Sequence, residues 1–462
     1  MATDQTPSGH GVEADAPLSL MRRFALTSVG VWGSAAISVF GTLIAARALG
    51  PHDYGLVVLA IATAVLVSTL LDVTLEPGIV YHGSRLLQAG DLAGLRGLLA
   101  GAAALDLAIG LLVCSTLFAF AAPIADLAGS GYLDASIMQI AAFYVLGSTM
   151  DGTVGGTLLI ADRPQVRGYA MAGTNLMRVA GVGVAVAMDP TATSIMAAYA
   201  VATCVGGVFQ LGLAWYFGWR LWPAPISHAE ARASARKLLP FAVHFSIATT
   251  LLSATDVVIV LLLGHFSGPD AAAIFKVATL PIMVGALASV PIRLVMTNEQ
   301  AKLVAARRYA EFKALLLRWS TIGAAIAVPA GVAGWFVMPW LLPLAYGDAF
   351  AGAVDSARIL LIYACIFFAF SWTKSFPTVI GRPRLATGLS VLLLVVAVPI
   401  TVIWSDSGPE AAALGVTLGA GLVSLANVVV AIRLRPRDDA PAASDAVAVT
   451  TRTPQVPTLE KA

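Results

Sequence analysis

Apolar runs of about 20 residues dominate the sequence, and they decide what the chain can fold into. A helix of about 20 residues crosses the ~30 Å hydrocarbon core of a bilayer. Of the 462 residues, 58% are hydrophobic and only 12% are charged, whereas a typical soluble domain carries about 25% charge. Lipid offers no partner to an unpaired backbone amide, and the runs lack the alternating polarity of barrel strands, so each run is predicted to be a helix. We count twelve spans, at 25–47, 53–75, 98–121, 136–160, 168–188, 193–218, 240–263, 271–293, 319–345, 355–378, 384–404 and 410–432.

The basic residues indicate how these spans are oriented. If both termini are placed in the cytoplasm, nearly all loop arginines and lysines fall on the inner side. The outer loops then hold Arg47 and mostly acidic residues. The positive-inside rule requires this distribution. The sequence therefore predicts a multi-pass protein with both termini in the cytoplasm.

A duplicated segment indicates that the spans form two equivalent halves. Leu49-Gly50-Pro51 leading to Gly55 is matched by Leu263-Gly264 leading to Gly268-Pro269. Gly accepts a positive φ beyond a helix end, and Pro cannot continue the helix, so both segments predict a sharp corner. Residues 89–99 and 306–316 also match, as do 157–164 and 378–383. We predict an all-α polytopic membrane protein with twelve transmembrane helices in two six-helix lobes, related by a pseudo-two-fold axis along the membrane normal.

The domain boundaries follow from the spans. We define the N-lobe as residues 21–222 (helices one to six) and the C-lobe as residues 240–435 (helices seven to twelve), joined by a cytoplasmic linker at 223–239. Residues 1–20 and 436–462 are polar and unpatterned and are predicted to be disordered tails. Residues 296–318 intersperse apolar residues with Lys and Arg, which predicts a short amphipathic helix on the inner membrane face.

Several classes of function are disfavoured. The sequence contains no phosphate-binding GxxxxGK[ST] loop, no HExxH and no Ser/His/Asp set, and its loops are too short for a soluble catalytic domain. Cys114, Cys204 and Cys365 all fall within spans, without metal-ligand spacing. We therefore expect no enzyme, no cofactor, no metal and no nucleic-acid partner. The chain is expected to move a substrate or to support a protein that does.

A resemblance to a known family rests on three stretches. They are Ala46-Arg47-Ala48-Leu49-Gly50-Pro51-His52-Asp53-Tyr54-Gly55, the segment from Asp256 through Val260 to Leu263-Gly264, and Gly90-Asp91 with Leu95-Arg96. Across residues 20–435 the chain resembles the polysaccharide-exporter branch of the multidrug/oligosaccharidyl-lipid/polysaccharide (MOP) superfamily, the O-antigen flippase-like proteins of bacteria. The second copy departs from the pattern, with His265 in place of Pro51 and with Phe275-Lys276 where the family tends to have an aromatic and then a small residue.

The resemblance implies a function and its partners. The substrate would be an oligosaccharide or polysaccharide precursor on a polyprenyl pyrophosphate, moved across the bacterial plasma (inner) membrane by alternating access. Membrane lipid, this lipid-linked glycan, and the glycosyltransferases and polymerase of the same pathway are the implied partners. A hydrated cavity between the lobes would replace water around the headgroup, and arginine suits its phosphate oxygens.

Charges within the spans are the candidate site residues, because a charge at the centre of a membrane helix costs at least ~2.5–3.5 kcal/mol. Arg178, Lys276, Lys374 and Arg47 are the candidates for binding substrate, and Asp151, Asp256, Asp106 and Asp72 for coupling or gating. Each has a plainer alternative. Arg178 has an ion pair with Asp151 or Asp106, and Lys276 has a pair with Asp256. For Lys374 the alternative is extension to the inner headgroups, for Arg47 stabilisation of the corner, and for Asp72 solvation beside Glu76.

Three other functions remain open at this stage. A cation-coupled exporter of drugs or small solutes would share the superfamily and its fold. A major-facilitator porter would also have twelve helices, but the loop from Tyr81 to Gly97 lacks that family's characteristic motif. A non-transporting scaffold of a glycan-synthesis complex would tolerate loss of the intramembrane charges, whereas a transporter would not.

Overall fold

Helices account for the ordered chain. The computed structural model describes residues 16–71, 75–129, 131–225, 255–380 and 383–433, and within them every regular element is an α-helix or a short 3-10 turn. The N-lobe contains α1 (Ala16–Leu71), α2 (Glu76–Gln88), α3 (Leu92–Ala119), α4 (Ala121–Gly129), α5 (Ala135–Ser148), α6 (Asp151–Ile160), α7 (Pro164–Met188) and α8 (Ala192–Leu221). The C-lobe contains α9 (255–278), α10 (Leu280–Ala305), α11 (Tyr309–Tyr346), α12 (Ala353–Ala369), α13 (Phe376–Val379), α14 (Pro383–Ile403) and α15 (Pro409–Arg433).

Eight helical segments in the described ranges are long and apolar enough to cross a membrane, so this is a multi-pass membrane protein. Trp32–Leu71 has 40 residues, or about 60 Å of helix, which is twice the thickness of the bilayer core. It bends at Gly50 and supplies two spans. Thr255–Val290 contains a second corner at Gly268. The predicted total of twelve spans stays a prediction, because residues 226–254, which include most of the seventh span and of the linker, lie outside the described ranges.

Two predicted spans are broken rather than continuous. The fourth consists of α5 and α6, which meet at Thr149 and Met150. The tenth consists of α12 and α13, separated by a 3-10 turn at Ser371–Lys374. The breaks occur at corresponding places in the two lobes, as the predicted duplication requires.

Helix packing repeats between the lobes. The pairs α3–α5, α5–α8 and α7–α8 of the N-lobe correspond to α11–α12, α12–α15 and α14–α15 of the C-lobe. The third and fourth, fourth and sixth, and fifth and sixth spans therefore pack together in both halves. This agrees with two equivalent bundles.

The corners show that the predicted register of the duplication is wrong by four residues. Gly50 has φ 73° and precedes Pro51, whereas in the second lobe the left-handed residue is Gly268, which precedes Pro269. Gly50 therefore corresponds to Gly268, an offset of 268 minus 50, or 218 residues. Pro51 corresponds to Pro269 and not to His265, so the departure expected at His265 disappears. Sequence matching chose the Leu-Gly pair, but the left-handed conformation marks the turn itself.

The predicted amphipathic surface helix at 296–318 is also wrong. Helix α10 continues to Ala305, and after a short turn with Arg307 at φ 55° helix α11 begins at Tyr309. Mixed apolar and basic residues here form the ends of two long helices. An amphipathic pattern alone does not distinguish these two arrangements.

The two ends of the bundle differ in how the lobes meet. We call the end that holds Gly50 and Gly268 the corner end. The largest hydrophobic core is continuous across both lobes and includes Tyr54, Leu263 and Tyr346. The smaller cores belong to one lobe each, such as those around Leu98 and Leu158 in the N-lobe and around Phe312 in the C-lobe. In the described residues the lobes are therefore joined mainly toward the corner end.

Candidate functional site: a cavity between the lobes

A cavity of 520 Å³ lies between the two lobes. Helices α1, α5, α7 and α8 form its N-lobe wall, and α9, α10 and α15 form its C-lobe wall. Most of its lining is aliphatic or aromatic. Three charged side chains reach it, Arg178 from the N-lobe and Asp256 and Lys276 from the C-lobe.

The cavity follows the pseudo-two-fold relation at most of its walls. With the offset of 218 residues, six pairs of lining positions correspond to one another: Ser38/Asp256, Thr42/Val260, Val57/Phe275, Val58/Lys276, Ile61/Thr279 and Val65/Met283. Both Asp256 and Lys276 therefore have an uncharged counterpart on the opposite wall. The frame of the cavity is symmetric, but its charge is not.

Arg178 is held by aromatic rings and a hydroxyl group. Its guanidinium carbon lies 5.7 Å from the ring centroid of Tyr144 and 5.5 Å from that of Tyr199. Its Nη2 donates a hydrogen bond of 3.3 Å to Oγ1 of Thr203, while its buried Nε has no hydrogen-bond partner. Cation–π contacts fix the group in place but leave its charge uncompensated. An anion in the cavity would supply the missing acceptor.

Lys276 and Asp256 are exposed within the described structure and do not form the ion pair that was the plainer alternative. Neither makes an ion pair of 4.0 Å or less with any described residue. Lys276 thus presents a free ammonium group at the cavity wall. A role for either residue in binding or coupling stays a prediction.

Asp106 and Asp151 both lie at the break between α5 and α6, but their surroundings differ. Asp106 is 1% exposed, and its Oδ2 accepts hydrogen bonds from the amide (3.0 Å) and the hydroxyl (2.6 Å) of Thr153. It therefore satisfies donors at the start of α6, where helix amides lack internal partners. Asp151 is half-buried, and the charges that act on it are those of Arg167, Glu76 and Arg178.

An ion pair next to Asp151 was not anticipated from the sequence. Nη1 of Arg167 lies 3.0 Å from Oε2 of Glu76, joining α7 to α2. A Cβ at Gly155 would come within 2.6 Å of that carboxylate oxygen, so the pair is seated against the backbone of α6. Sequence separation of 91 residues gave no signal for this contact. Arg178, Asp151, Arg167 and Glu76 thus form a charged series leading from the cavity into the N-lobe.

Three other candidates lie elsewhere. Arg47 is absent from the cavity lining, and its Nη1 donates a 3.0 Å hydrogen bond to the carbonyl of Leu344 in the last turn of α11. This contact joins the lobes at the corner end and favours the corner-stabilising alternative. Lys374 ends the 3-10 turn in the tenth span, but its side chain lies outside the described part of the structure. Asp72 lies outside it altogether.

The lobes approach most closely at the two corners. A Cβ at Gly55 would lie 2.1 Å from the carbonyl oxygen of Pro269, so only glycine allows this contact. Beside it, Nδ1 of His52 lies 3.0 Å from Oδ2 of Asp270. Since 52 plus 218 is 270, these two residues occupy equivalent positions and meet across the pseudo-two-fold axis. We call these contacts, together with Arg47–Leu344, the corner seam.

The described residues contain no group of three or more His, Cys, Asp or Glu side chains able to share a metal ion. The cavity lining has one carboxylate, from Asp256. The arrangement therefore offers cationic and aromatic groups to an anionic or polar ligand.

The helical fold, the two lobes and the central cavity define a multi-pass membrane protein of the transporter class. Similar solved structures include an inward-facing multidrug resistance MATE family transporter of the MOP superfamily, with 14% identity, a TM-score of 0.62, and coverage of 89% of this chain and 97% of that one. The lipid II flippase MurJ in an inward closed conformation has 13% identity and a TM-score of 0.67, covering 89% and 88%. A MOP superfamily transporter from Pyrococcus furiosus has 14% identity and a TM-score of 0.58, covering 89% and 95%. This chain therefore has the fold shared by these MOP superfamily proteins.

The family is established by sequence. The profile of the polysaccharide biosynthesis protein family matches residues 20–293, more than half of the chain, and the chain belongs to that family. No curated protein sequence matches it. Family and fold together agree with the resemblance found in the corner motif.

Proposed function

We propose that this protein is a flippase that moves a polyprenyl-pyrophosphate-linked oligosaccharide or polysaccharide precursor across the bacterial plasma membrane. One observation carries the proposal. The cavity between the lobes receives one basic side chain from each wall, and Lys276 has no ion-pair partner among the described residues. Family membership supplies the glycan context.

The chemistry of the headgroup fits the cavity. A diphosphate is attracted to ammonium and guanidinium groups, and bidentate hydrogen bonds from Arg178 would match its oxygens. Pockets of about 300–1,000 Å³ bind small ligands, so 520 Å³ accommodates a diphosphate and the first sugars. Sugar faces would stack on Tyr144 and Tyr199, while the polyprenyl chain stays in lipid.

The corner seam supports alternating access. The lobes join at the corner end, and the smaller cores toward the opposite end do not cross between them. Basic residues concentrate at that opposite end, so the positive-inside rule places it in the cytoplasm. The described state would then be closed to the outside and would receive substrate from the inner leaflet. Opening of the corner seam would release it outside.

The acidic residues divide into two groups under this proposal. Asp256 and Asp151 are the better coupling candidates, because one lines the cavity and the other interacts with Arg178. The bonds of Asp106 to Thr153 favour a structural role instead. The glycosyltransferases and polymerase of the same pathway are proposed partners.

Gene deletion with complementation tests the proposal. Deleting the gene should cause a lipid-linked oligosaccharide to accumulate on the cytoplasmic leaflet, and the wild-type gene should clear it. The double variant Arg178→Gln/Lys276→Gln should fail to clear it despite normal membrane levels. Lys302→Gln is a matched control, because Lys302 is an exposed lysine paired with Glu299 outside the cavity. Absence of accumulation would overturn the proposal.

Export of a drug or small solute is the second candidate, and the fold shared with MATE transporters favours it. An efflux assay in the same strains separates the two. Cationic dye export that survives while glycan clearance is unaffected by deletion would support the exporter. A scaffold would clear the precursor normally with both cavity cations neutralised.

A further inference from the structure

A second site with an unsatisfied cation lies far from the cavity, at the start of α3. Arg96 is only 3% exposed, and its Nη1 donates a 3.2 Å hydrogen bond to the carbonyl of Trp222. Its guanidinium carbon lies 4.7 Å from the ring centroid of Trp219 and 5.4 Å from that of Trp215. Its Nη2 is buried without any hydrogen-bond partner.

This arrangement leaves a charge without an anion. A buried guanidinium is costly unless it is paired and hydrogen-bonded. No described carboxylate lies within ion-pair distance of Arg96, and aromatic faces compensate the charge only partly. The remaining donor therefore calls for an acceptor that the described protein does not supply.

The surroundings indicate where that acceptor comes from. A small pocket of 30 Å³ borders Arg96 and is lined also by Ala100, Ala103, Trp215 and Trp219. One water-sized sphere needs about 10–15 Å³, so the pocket has room for a single oxygen atom. Trp215 and Trp219 are 50% and 60% exposed on α8, and tryptophans at such positions lie at the level of lipid headgroups.

We propose that Arg96 and its two tryptophans form a binding site for the phosphate of an anionic phospholipid in the cytoplasmic leaflet. One phosphate oxygen enters the pocket and accepts a hydrogen bond from Nη2. Trp215 and Trp219 flank the glycerol and the upper acyl chains. Because Arg96 also holds the carbonyl of Trp222 at the start of the interlobe linker, a bound lipid stabilises that junction. This site is separate from the transport cavity, and its occupancy does not depend on the identity of the transported substrate.

Lipid binding to the purified full-length protein tests this site. Native mass spectrometry measures retention of phosphatidylglycerol and phosphatidylcholine, and a separate arm adds inorganic phosphate. We expect wild-type protein to retain phosphatidylglycerol in preference to phosphatidylcholine and to ignore millimolar phosphate. Arg96→Gln should weaken the tightest phosphatidylglycerol binding about tenfold or more, as loss of a charge-assisted hydrogen bond predicts.

Two further variants keep the test decisive. Arg85→Gln is the matched control, because Arg85 makes a 4.7 Å cation–π contact with Tyr81 but is exposed; it should bind lipid as the wild type does. If Arg96→Gln does not fold, Trp219→Leu removes the aromatic face and should also weaken binding. Equal retention of both lipids by the wild type, unchanged binding in the variants, or equal competition by free phosphate would overturn the proposal.

Discussion

The two walls of the cavity share a backbone plan but not a charge pattern. Six lining positions of the N-lobe correspond to six of the C-lobe at an offset of 218 residues. At two of them the N-lobe has Ser38 and Val58 where the C-lobe has Asp256 and Lys276. The N-lobe instead contributes Arg178, from its fifth span.

This difference separates what folding requires from what the cavity does. Corners, broken fourth and tenth spans and helix pairings recur in both lobes because each bundle has the same packing problem. A free ammonium group in a span gives no packing advantage and carries a cost. We therefore attribute the charges of one wall to the ligand. The four predictions below test this comparison, from the largest expected effect to the smallest.

Contact between the corners should depend on the absence of a side chain at Gly55. Gly55→Ala would place a Cβ 2.1 Å from the carbonyl oxygen of Pro269, and the overlap should cost about 3 kcal/mol or separate the lobes. Thermal unfolding in detergent measures this loss. Gly212→Ala is the control, because nothing lies within 4 Å of a Cβ there. Equal stability of the two variants would contradict the close approach.

Buried and cavity-exposed aspartates should differ in their effect on stability. Asp106→Ala leaves the buried amide and hydroxyl of Thr153 without their acceptor, which should cost about 2 kcal/mol. Asp256→Ala removes an exposed side chain that has no described ion pair and should hardly change the free energy of unfolding. The same unfolding experiment compares them. A larger loss for Asp256 would reverse the assignment of structural and functional roles.

Moving the free cation to the opposite wall should preserve part of its function. Lys276→Val should reduce glycan clearance about tenfold, because one charge-assisted contact is lost. Adding Val58→Lys places a lysine at the equivalent position, and the double variant should regain part of the activity. Clearance is measured in the complemented deletion strain at matched protein levels. A double variant no better than Lys276→Val would show that the walls are not interchangeable.

Exchange of the two axis residues should have the smallest effect. The pair His52–Asp270 is about half exposed, and exposed ion pairs contribute at most about 1 kcal/mol. His52→Asp sets two carboxylates against each other and should open the corner seam slightly, whereas His52→Asp/Asp270→His should close it again. Labelling of Thr42→Cys from outside, in a background without the three native cysteines, reports opening. Equal labelling in all variants would remove the pair from the gate.

Much of the fold follows from local sequence. Hydropathy located the helices because each span must satisfy its own backbone, and Gly-Pro corners located the turns. The register of the duplication was missed because sequence identity favoured Gly264 as the counterpart of Gly50, while the backbone conformation identifies Gly268. The break before α6 carries no proline in α5 or α6 and depends on the distant side chain of Asp106.

The candidate site was only partly predictable. Intramembrane charge pointed to Arg178, Asp256 and Lys276, because an unpaired charge in a span is rare and easily recognised. Their meeting at one cavity, the tyrosines around Arg178 and the separate position of Arg47 depend on how helices from distant parts of the chain pack. His52 and Asp270 had a signal only once the correct offset was known.

Transport by purified protein tests the central claim most directly. The protein is reconstituted into liposomes with a fluorescent polyprenyl-pyrophosphate oligosaccharide, and the fraction of headgroups reaching the opposite leaflet is followed with a membrane-impermeant quencher. The account predicts headgroup movement with wild-type protein and with Lys302→Gln, and almost none with Arg178→Gln/Lys276→Gln. Equal movement with and without the two cavity cations would contradict it.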